Sequence, residues 1–313
     1  MDEFELIREH FSKLTTARAG VKLGIGDDAA LLRVPAGHEL VVTTDTLVAG
    51  RHFPDDAAAE DIGWKSLAVN LSDLAAMGAQ PRWFTLALTL RMADSVWLGG
   101  FANGLRALAE QSGVALVGGD TTQGPLSITI TALGTVPAGE AMRRDGAKPG
   151  DLVCVTGTLG DAALALRQKA GSDLPESLVQ RLNRPNPRTK AGLALRGNAR
   201  AVIDLSDGLS GDLQHVLDAS GVGADIRADQ LPQSAEFAQF ADAQERLQLQ
   251  AAGGDDYELC ACIPRAKLKS VAACLDVPLT VIGRVTKKRG LRFCAPDGAI
   301  IPVDLQAYRH FRE

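Results

Sequence analysis

Hydrophobic and polar positions along this chain switch repeatedly between a period of two and a period near 3.6, and the switches mark out its elements. Residues 39–44 (ELVVTT) are β-branched and apolar and predict a strand ending at Thr43, Thr44 and Asp45. Residues 60–77 place Trp64, Leu67, Ala68, Leu71 and Leu74 on one helical stripe, with Gly78 where a helix C-cap is expected. Asp73 lies off that stripe, on a flank shared with Ser66 and Asn70. A strand at 83–91, a helix at about 94–112, and strands at 114–117 and 126–136 follow. The spacing of Phe4, Ile7, Phe11 and Leu14 predicts an amphipathic helix at the start of the chain.

A compositional break at 137–151 (PAGEAMRRDGAKPGD) is rich in Gly, Pro and charge and predicts a domain boundary. Beyond it come a strand at 152–156, a Gly-rich turn, a helix near 160–170, and an NRPNPR segment that its prolines keep extended. A strand at 201–204 leads into a helix whose Leu209, Leu213, Val216 and Leu217 share a face, and short strands include 279–285 and 291–294. Both halves are α/β in mixed order, without the strict alternation of a barrel, and no regular repeat is present. The expected domains are 1–137 and 150–313, in agreement with a length of 313 residues.

Composition narrows the function classes. A hydrophobic fraction of 46% can fill a full core, and a net charge of -5 argues against a nucleic-acid binder, which carries a basic face. The five cysteines, Cys154, Cys260, Cys262, Cys274 and Cys294, show no C-x-x-C spacing and read as reduced thiols. The Cys260/Cys262 pair alternates as packing residues of a strand would. No basic leader and no apolar run approaching the ~20 residues of a membrane span is present, so the expectation is a soluble, cytoplasmic protein.

Candidate chemistry lies in the acidic turns. Asp27 and Asp28 follow Gly24 and Gly26; Asp120 ends VALVGGD; Asp204, Ser206 and Asp207 sit in VIDLSDGL; Asp255 and Asp256 follow two glycines in GGDDYEL. Strand ends and tight turns are where α/β proteins place site residues, and glycine lets a ligand approach the backbone. Two like charges ~4 Å apart repel by about 4 kcal/mol at an effective dielectric near 20, so converging acids require cations. All-oxygen donors select magnesium or calcium over zinc. Each acid taken singly also suits a turn or an N-cap, as Ser206 and Asp207 do at the start of their helix. The TGTLGD turn at 156–161 lacks the Lys-Ser/Thr ending of a P-loop and reads as a plain strand–helix turn. His52 reads equally as a surface or packing residue or as a ligand-binding one, whereas Arg143 and Arg144, placed at the domain break where an arginine can bind phosphate, read more often as solvated charges.

GIGDDAA, TTDTLVAGRHF, AVNLSDLAAMGA, LVGGDTT, GAKPGD, IDLSDGL and GGDDYEL, in this order, resemble thiamine-monophosphate kinases, in the superfamily of aminoimidazole ribonucleotide synthetase and selenophosphate synthetase. The resemblance runs from about residue 3 to 311. It implies two α/β domains of the aminoimidazole-ribonucleotide-synthetase type with an active site between them. It also implies a homodimer joined through its N-terminal sheets, and ATP and several magnesium ions among the acidic turns. The metal ligands would be Asp28, Thr43, Thr44, Asp45, Asp73, Asp120, Asp204 and Asp207. ATP would meet Gly119, Asp120, Arg144 and Ser206, with Phe101 as a candidate aromatic for the adenine, and thiamine monophosphate would meet His52, Asp255 and Tyr308.

One departure stands out: the family often has Glu where this chain has Asp255, which keeps the charge but shortens the reach by one methylene. The implied reaction is direct, in-line transfer of the ATP γ-phosphoryl group to thiamine monophosphate without a catalytic base. A sister enzyme of the superfamily and a non-catalytic nucleotide-binding regulator are the alternatives. The selenophosphate enzyme requires a reactive Cys or selenocysteine near the N-terminus, and the first cysteine here is Cys154.

Overall fold

Strand β3 (His38–Val48) sets the frame of the first half, because its alternate residues face two different environments. The computed structural model describes residues 3–12, 14–15, 19–168, 174–242 and 244–302. The chain divides into two units, Met1–Leu74 with Ala79–Gly139, and Ala75–Gly78 with Glu140–Glu313.

In the first unit, a short helix α1 (Glu3–Leu6) and a ribbon of β1 (Val21–Leu23) and β2 (Leu31–Leu32) precede β3. Helix α2 (Ala59–Ala76), β4 (Gln80–Leu90), α3 (Ser95–Ser112), β5 (Ala115–Gln123) and β6 (Ser127–Pro137) follow. The four long strands form a sheet ordered β3-β6-β4-β5, antiparallel except for the β4–β5 pair. Ile128, Ile130 and Ala132 of β6 are fully buried, and in register they share a face with Thr43, Asp45 and Leu47 of β3 and with Leu86 of β4. On the opposite face, Trp83, Ala115 and Val117 pack with Val21, Leu32 and Val34. Elsewhere that face is open: Leu40 and Val42 are 44% and 54% exposed, and Thr44 and Thr46 pair with Thr131 and Thr129 at 2.9 Å each.

Three local expectations are corrected. Strand β3 runs on to Val48 and β5 to Gln123, so Thr43–Asp45 and Asp120 lie within strands and not at their ends. Cross-strand partners in β6 and β4 supply hydrogen bonds that carry the polar stretches onward. Helix α2 is buried almost all round, Ser66, Asn70 and Ser72 included, so its polar flank lies inside the protein. The N-terminal helix gives way to a π-helical turn at Ile7–Phe11. Phe11 and Leu14 are buried as expected, while Leu6 is buried beside them and Ile7 is only half-buried.

The second unit contains β7 (Leu152–Thr156), α4 (Asp161–Arg167), α5 (Glu176–Asn183), α6 (Thr189–Leu195), β8 (Ala201–Asp204), α7 (Leu209–Ser220) and β9 (Gly223–Arg227). Helices α8 (Ala235–Phe240) and α9 (Arg246–Ala252), β10 (Leu259–Ile263), α10 (Leu268–Ala272), β11 (Leu279–Thr286), β12 (Gly290–Cys294) and β13 (Ile300–Ile301) complete it. The sheet is ordered β13-β12-β9-β11-β7-β10-β8, with only the β12–β9 pair parallel. Strands β7 and β10 are buried at every position, as their unbroken apolar runs require. Cys260 and Cys262 pack on one face, with the Leu209, Leu213, Val216 and Leu217 stripe of α7, and Cys154 packs on the other. All five cysteines are free thiols. No helix among the described residues is long and apolar enough to cross a membrane.

Candidate active site

The Asp73 carboxylate is tied to β3. Thr43 donates its hydroxyl to Asp73 Oδ2 at 2.5 Å, and one turn earlier on α2 the buried Asn70 accepts the Asp45 N–H at 3.2 Å. Asn70 is itself held by donating to the Ser66 carbonyl at 3.1 Å, which fixes its oxygen toward the strand. Thr43, Asp45 and Asp73 are thus gathered by one strand and one helix. Thr44 faces the other way, as the period of two demands, and its hydroxyl meets Thr131. Only its backbone can serve a ligand on the Asp73 side.

A pocket of about 470 Å³ opens beside β5. Ile7, Phe11, Ile25, Leu86 and Leu116 give it apolar walls, and Asp27, Asp28, Asp120 and the Gly118–Gly119 backbone give it polar ones. An apolar wall with a few convergent polar groups is the usual make-up of a small-ligand site. At Gly119 a Cβ would run into the Leu86 carbonyl, so only glycine lets β5 pass this close to β4. Phe101 contributes nothing here. It is fully buried, stacked on Trp97 at 5.2 Å and edge-on to Phe11 at 6.5 Å, so no ring face is left for an adenine.

His52 lies on the turn after β3. The Val48 N–H donates to its Nδ1 at 3.0 Å, so in the neutral ring Nε2 carries the proton. That tautomer presents a donor, suited to an anionic oxygen.

In the second unit two predicted turns come together. The Asp255 N–H donates to the Ser206 carbonyl at 2.9 Å and the Tyr257 N–H to the Leu205 carbonyl at 2.8 Å. Asp255 holds a left-handed φ of 66° and accepts the Tyr257 hydroxyl at 3.2 Å. Asp204, buried at the end of β8, leads into the same turn. Asp207 and Gly208 donate their N–H groups to Asp212 Oδ2, at 3.1 Å each. Burial, followed by the nearby Asp207 charge, pushes the Asp212 carboxyl up to about 7 against those hydrogen bonds. Arg144 has an exposed side chain, while its carbonyl accepts the Ser220 hydroxyl at 2.9 Å.

A buried ionic group supports the Asp255 loop from behind. Glu258, fully buried, receives Arg188 through two nitrogens at 2.7 and 2.5 Å, Arg181 at 2.9 Å and the Thr156 hydroxyl at 2.7 Å. Asp256 accepts the Gly160 N–H at 3.0 Å, and burial raises its carboxyl well above the carboxylate range, partly opposed by Arg181. The 156–161 turn is accordingly a structural anchor for this loop.

Tyr308 lies outside the described residues. Among those described, no three His, Cys, Asp or Glu side chains form a ready-made metal-holding group. Two residues escape sequence reading. Asn70 reads as one more polar helix residue, and Asp212 reads as an ordinary acid in a first helical turn, a position such residues favour anyway.

Residues 26–136 match the AIR synthase related protein, N-terminal domain, and residues 148–294 match its C-terminal domain. Thiamine-monophosphate kinase of Salmonella typhimurium is 47% identical over 319 residues, covering 99% of this chain and 98% of that one. The chain belongs to the thiamine-monophosphate kinase family. The crystal structure of thiamine-monophosphate kinase from Stenotrophomonas maltophilia K279a is 49% identical, with a TM-score of 0.84 over 90% of this chain and 92% of that one. A second structure of the family, AaThiL complexed with AMPPCP and TMP, is 31% identical, with a TM-score of 0.79 over 92% of each chain. Both place the family's kinase fold across nearly the whole of the present sequence.

Proposed function

We propose that this chain transfers the γ-phosphoryl group of ATP to the phosphate of thiamine monophosphate, releasing ADP and thiamine diphosphate. The observation that carries this reading is the near-full-length likeness to thiamine-monophosphate kinases, one of them complexed with AMPPCP and TMP.

The attacking group is a phosphate oxygen. Its second pKa is about 6, so at neutral pH it arrives ionised and needs no base to activate it. His52 suits that economy: with Nδ1 engaged by Val48, its Nε2–H can only donate, and so orients the acceptor phosphate. Asp255 and Tyr308 complete the thiamine phosphate contacts. Gly119, Asp120, Arg144 and Ser206 hold the nucleotide, Arg144 through an exposed guanidinium able to grip phosphate.

The cation ligands are Asp28, Thr43, Thr44 through its backbone, Asp45, Asp73, Asp120, Asp204 and Asp207. This donor set consists of oxygens alone and fits a hard divalent ion. Magnesium is usually held by one or two carboxylates together with substrate phosphates, so a partial protein set is what it requires. When bound, the ions would neutralise the two polyanions and favour in-line transfer. Thr43 contributes by fixing the Asp73 carboxylate, and Asn70 by fixing the backbone of Asp45.

Residues 1–137 then carry most of the cation ligands, and 150–313 the remaining contacts to nucleotide and substrate. We further propose that two copies pair through the open sheet face bearing Leu40, Val42 and Val48, whose exposed apolar residues favour burial. Five free thiols suit a reducing cytoplasm. Incubation with ATP, magnesium and thiamine monophosphate tests the activity: thiamine diphosphate must accumulate with ADP. Nucleotide binding without turnover would replace this reading with that of a regulator.

A further inference from the structure

The turn carrying Ser206 and Asp207 is clamped from two sides. On one side lies Asp212, 4% exposed, whose single oxygen Oδ2 accepts the N–H groups of both Asp207 and Gly208. On the other, Gly208 sits at a φ of 111° where a Cβ would come within 2.8 Å of the Gly253 carbonyl. The Asp255 N–H also donates to Ser206 from that side. The backbone of the turn is therefore held at Ser206, Asp207 and Gly208.

We propose that Asp212 is a positioning residue for phosphoryl transfer, fixing the backbone from which Ser206 and Asp207 reach the nucleotide and its cation. The inference rests on the function proposed above. An ordinary helix cap stands before the helix and accepts the N–H groups of its first turn. Asp212 stands inside α7 and reaches back to the N-cap Gly208, as the acid of a capping box does, but it also takes the Asp207 N–H one residue further out, so what it immobilises includes the turn. Burying a carboxylate is costly unless hydrogen bonds to the charged form offset it, and an apolar residue would suit this position better if packing were its only task. Groups that orient ligand-bearing residues in this way usually change cation affinity or activity by about 10- to 100-fold when lost.

Because one oxygen takes both bonds, Asp212→Asn can reproduce them with its carbonyl, and Asp212→Ala cannot. Hydrogen exchange of the Asp207 and Gly208 amides in the ligand-free protein reads the clamp without any turnover. The expected result is near-native protection in the Asn variant and exchange faster by about tenfold or more in the Ala variant. The half-saturating magnesium–ATP concentration should rise by about 10- to 100-fold in Asp212→Ala and be restored by Asn. A lower melting temperature with both readouts unchanged would reduce Asp212 to a helix cap and overturn the proposal. So would an Asn variant that keeps its amide protection yet loses nucleotide affinity as far as Ala does, since the charge would then act directly. Should Ala fail to fold, Asp212→Glu displaces the oxygen by one methylene, and unchanged exchange and half-saturation there would equally overturn it. Failure to make thiamine diphosphate would remove the proposed function while leaving the exchange result to judge the clamp.

Discussion

Thr43 and Asp73, 30 positions apart in sequence, meet through a 2.5 Å hydrogen bond that joins β3 to α2. The bond fixes the orientation of the carboxylate proposed above as a cation ligand. Asp73→Asn keeps the shape and removes the charge; turnover should fall by ~100-fold or more, the kinetic equivalent of roughly 3 kcal/mol. Thr43→Val removes the hydroxyl and with it the orienting bond, and since a bond to a charged group contributes about 1.5–3 kcal/mol, a loss of about 10- to 100-fold is expected. Initial rates across a magnesium titration separate the two, with the half-saturation point moving in both variants.

Asp45→Asn and Asp120→Asn should each abolish turnover and weaken magnesium-dependent ATP binding without unfolding the protein. Calorimetric titration with AMPPCP, alongside a circular-dichroism melt, reads both effects. Near-normal activity in either variant would contradict its role as a cation ligand.

Gly119→Ala places a methyl group against the Leu86 carbonyl. Strand β5 must then move away from β4, and the wall of the pocket moves with it. Nucleotide affinity should drop by about tenfold or more while most of the melting temperature is retained, because only an edge strand is disturbed.

Val42→Asp puts a charge on the open face of the first sheet, beside Leu40. If copies pair there, sedimentation velocity should show a dimer for the native chain and a monomer for the variant. A native monomer would refute that pairing.

Glu258 and Asp256 should differ in stability tests. Glu258→Gln leaves Arg181 and Arg188 without their shared buried partner, and breaking a buried pair costs about 3–5 kcal/mol. Asp256 is raised by burial, so its stabilising contribution is complete below the usual carboxylate range and is lost as pH climbs through its folded value. Asp256→Asn should flatten that decline, and denaturant melts across a pH series would show it.

The sequence carries much of this legibly and some of it not at all. Strand β8 and its turn into α7 follow from local pattern alone, because an apolar run, a Ser-Asp pair and a 3.6-residue stripe occur in succession. The extension of β3 beyond Asp45 to Val48 does not, since it depends on register with β6, about eighty residues away. Burial of the polar flank of α2 is likewise hidden, for Asn70 is satisfied by a strand it meets only in the folded state. Asp212 is illegible for a related reason: its partners are backbone amides, which leave no trace in residue identity.

The most direct test of direct transfer follows label from γ-labelled ATP in a single turnover with magnesium and thiamine monophosphate. The label should pass entirely into thiamine diphosphate, one equivalent for each ADP, with none retained on the protein when thiamine monophosphate is withheld. Label lost to free phosphate without thiamine diphosphate, or bound covalently to the chain, would contradict it.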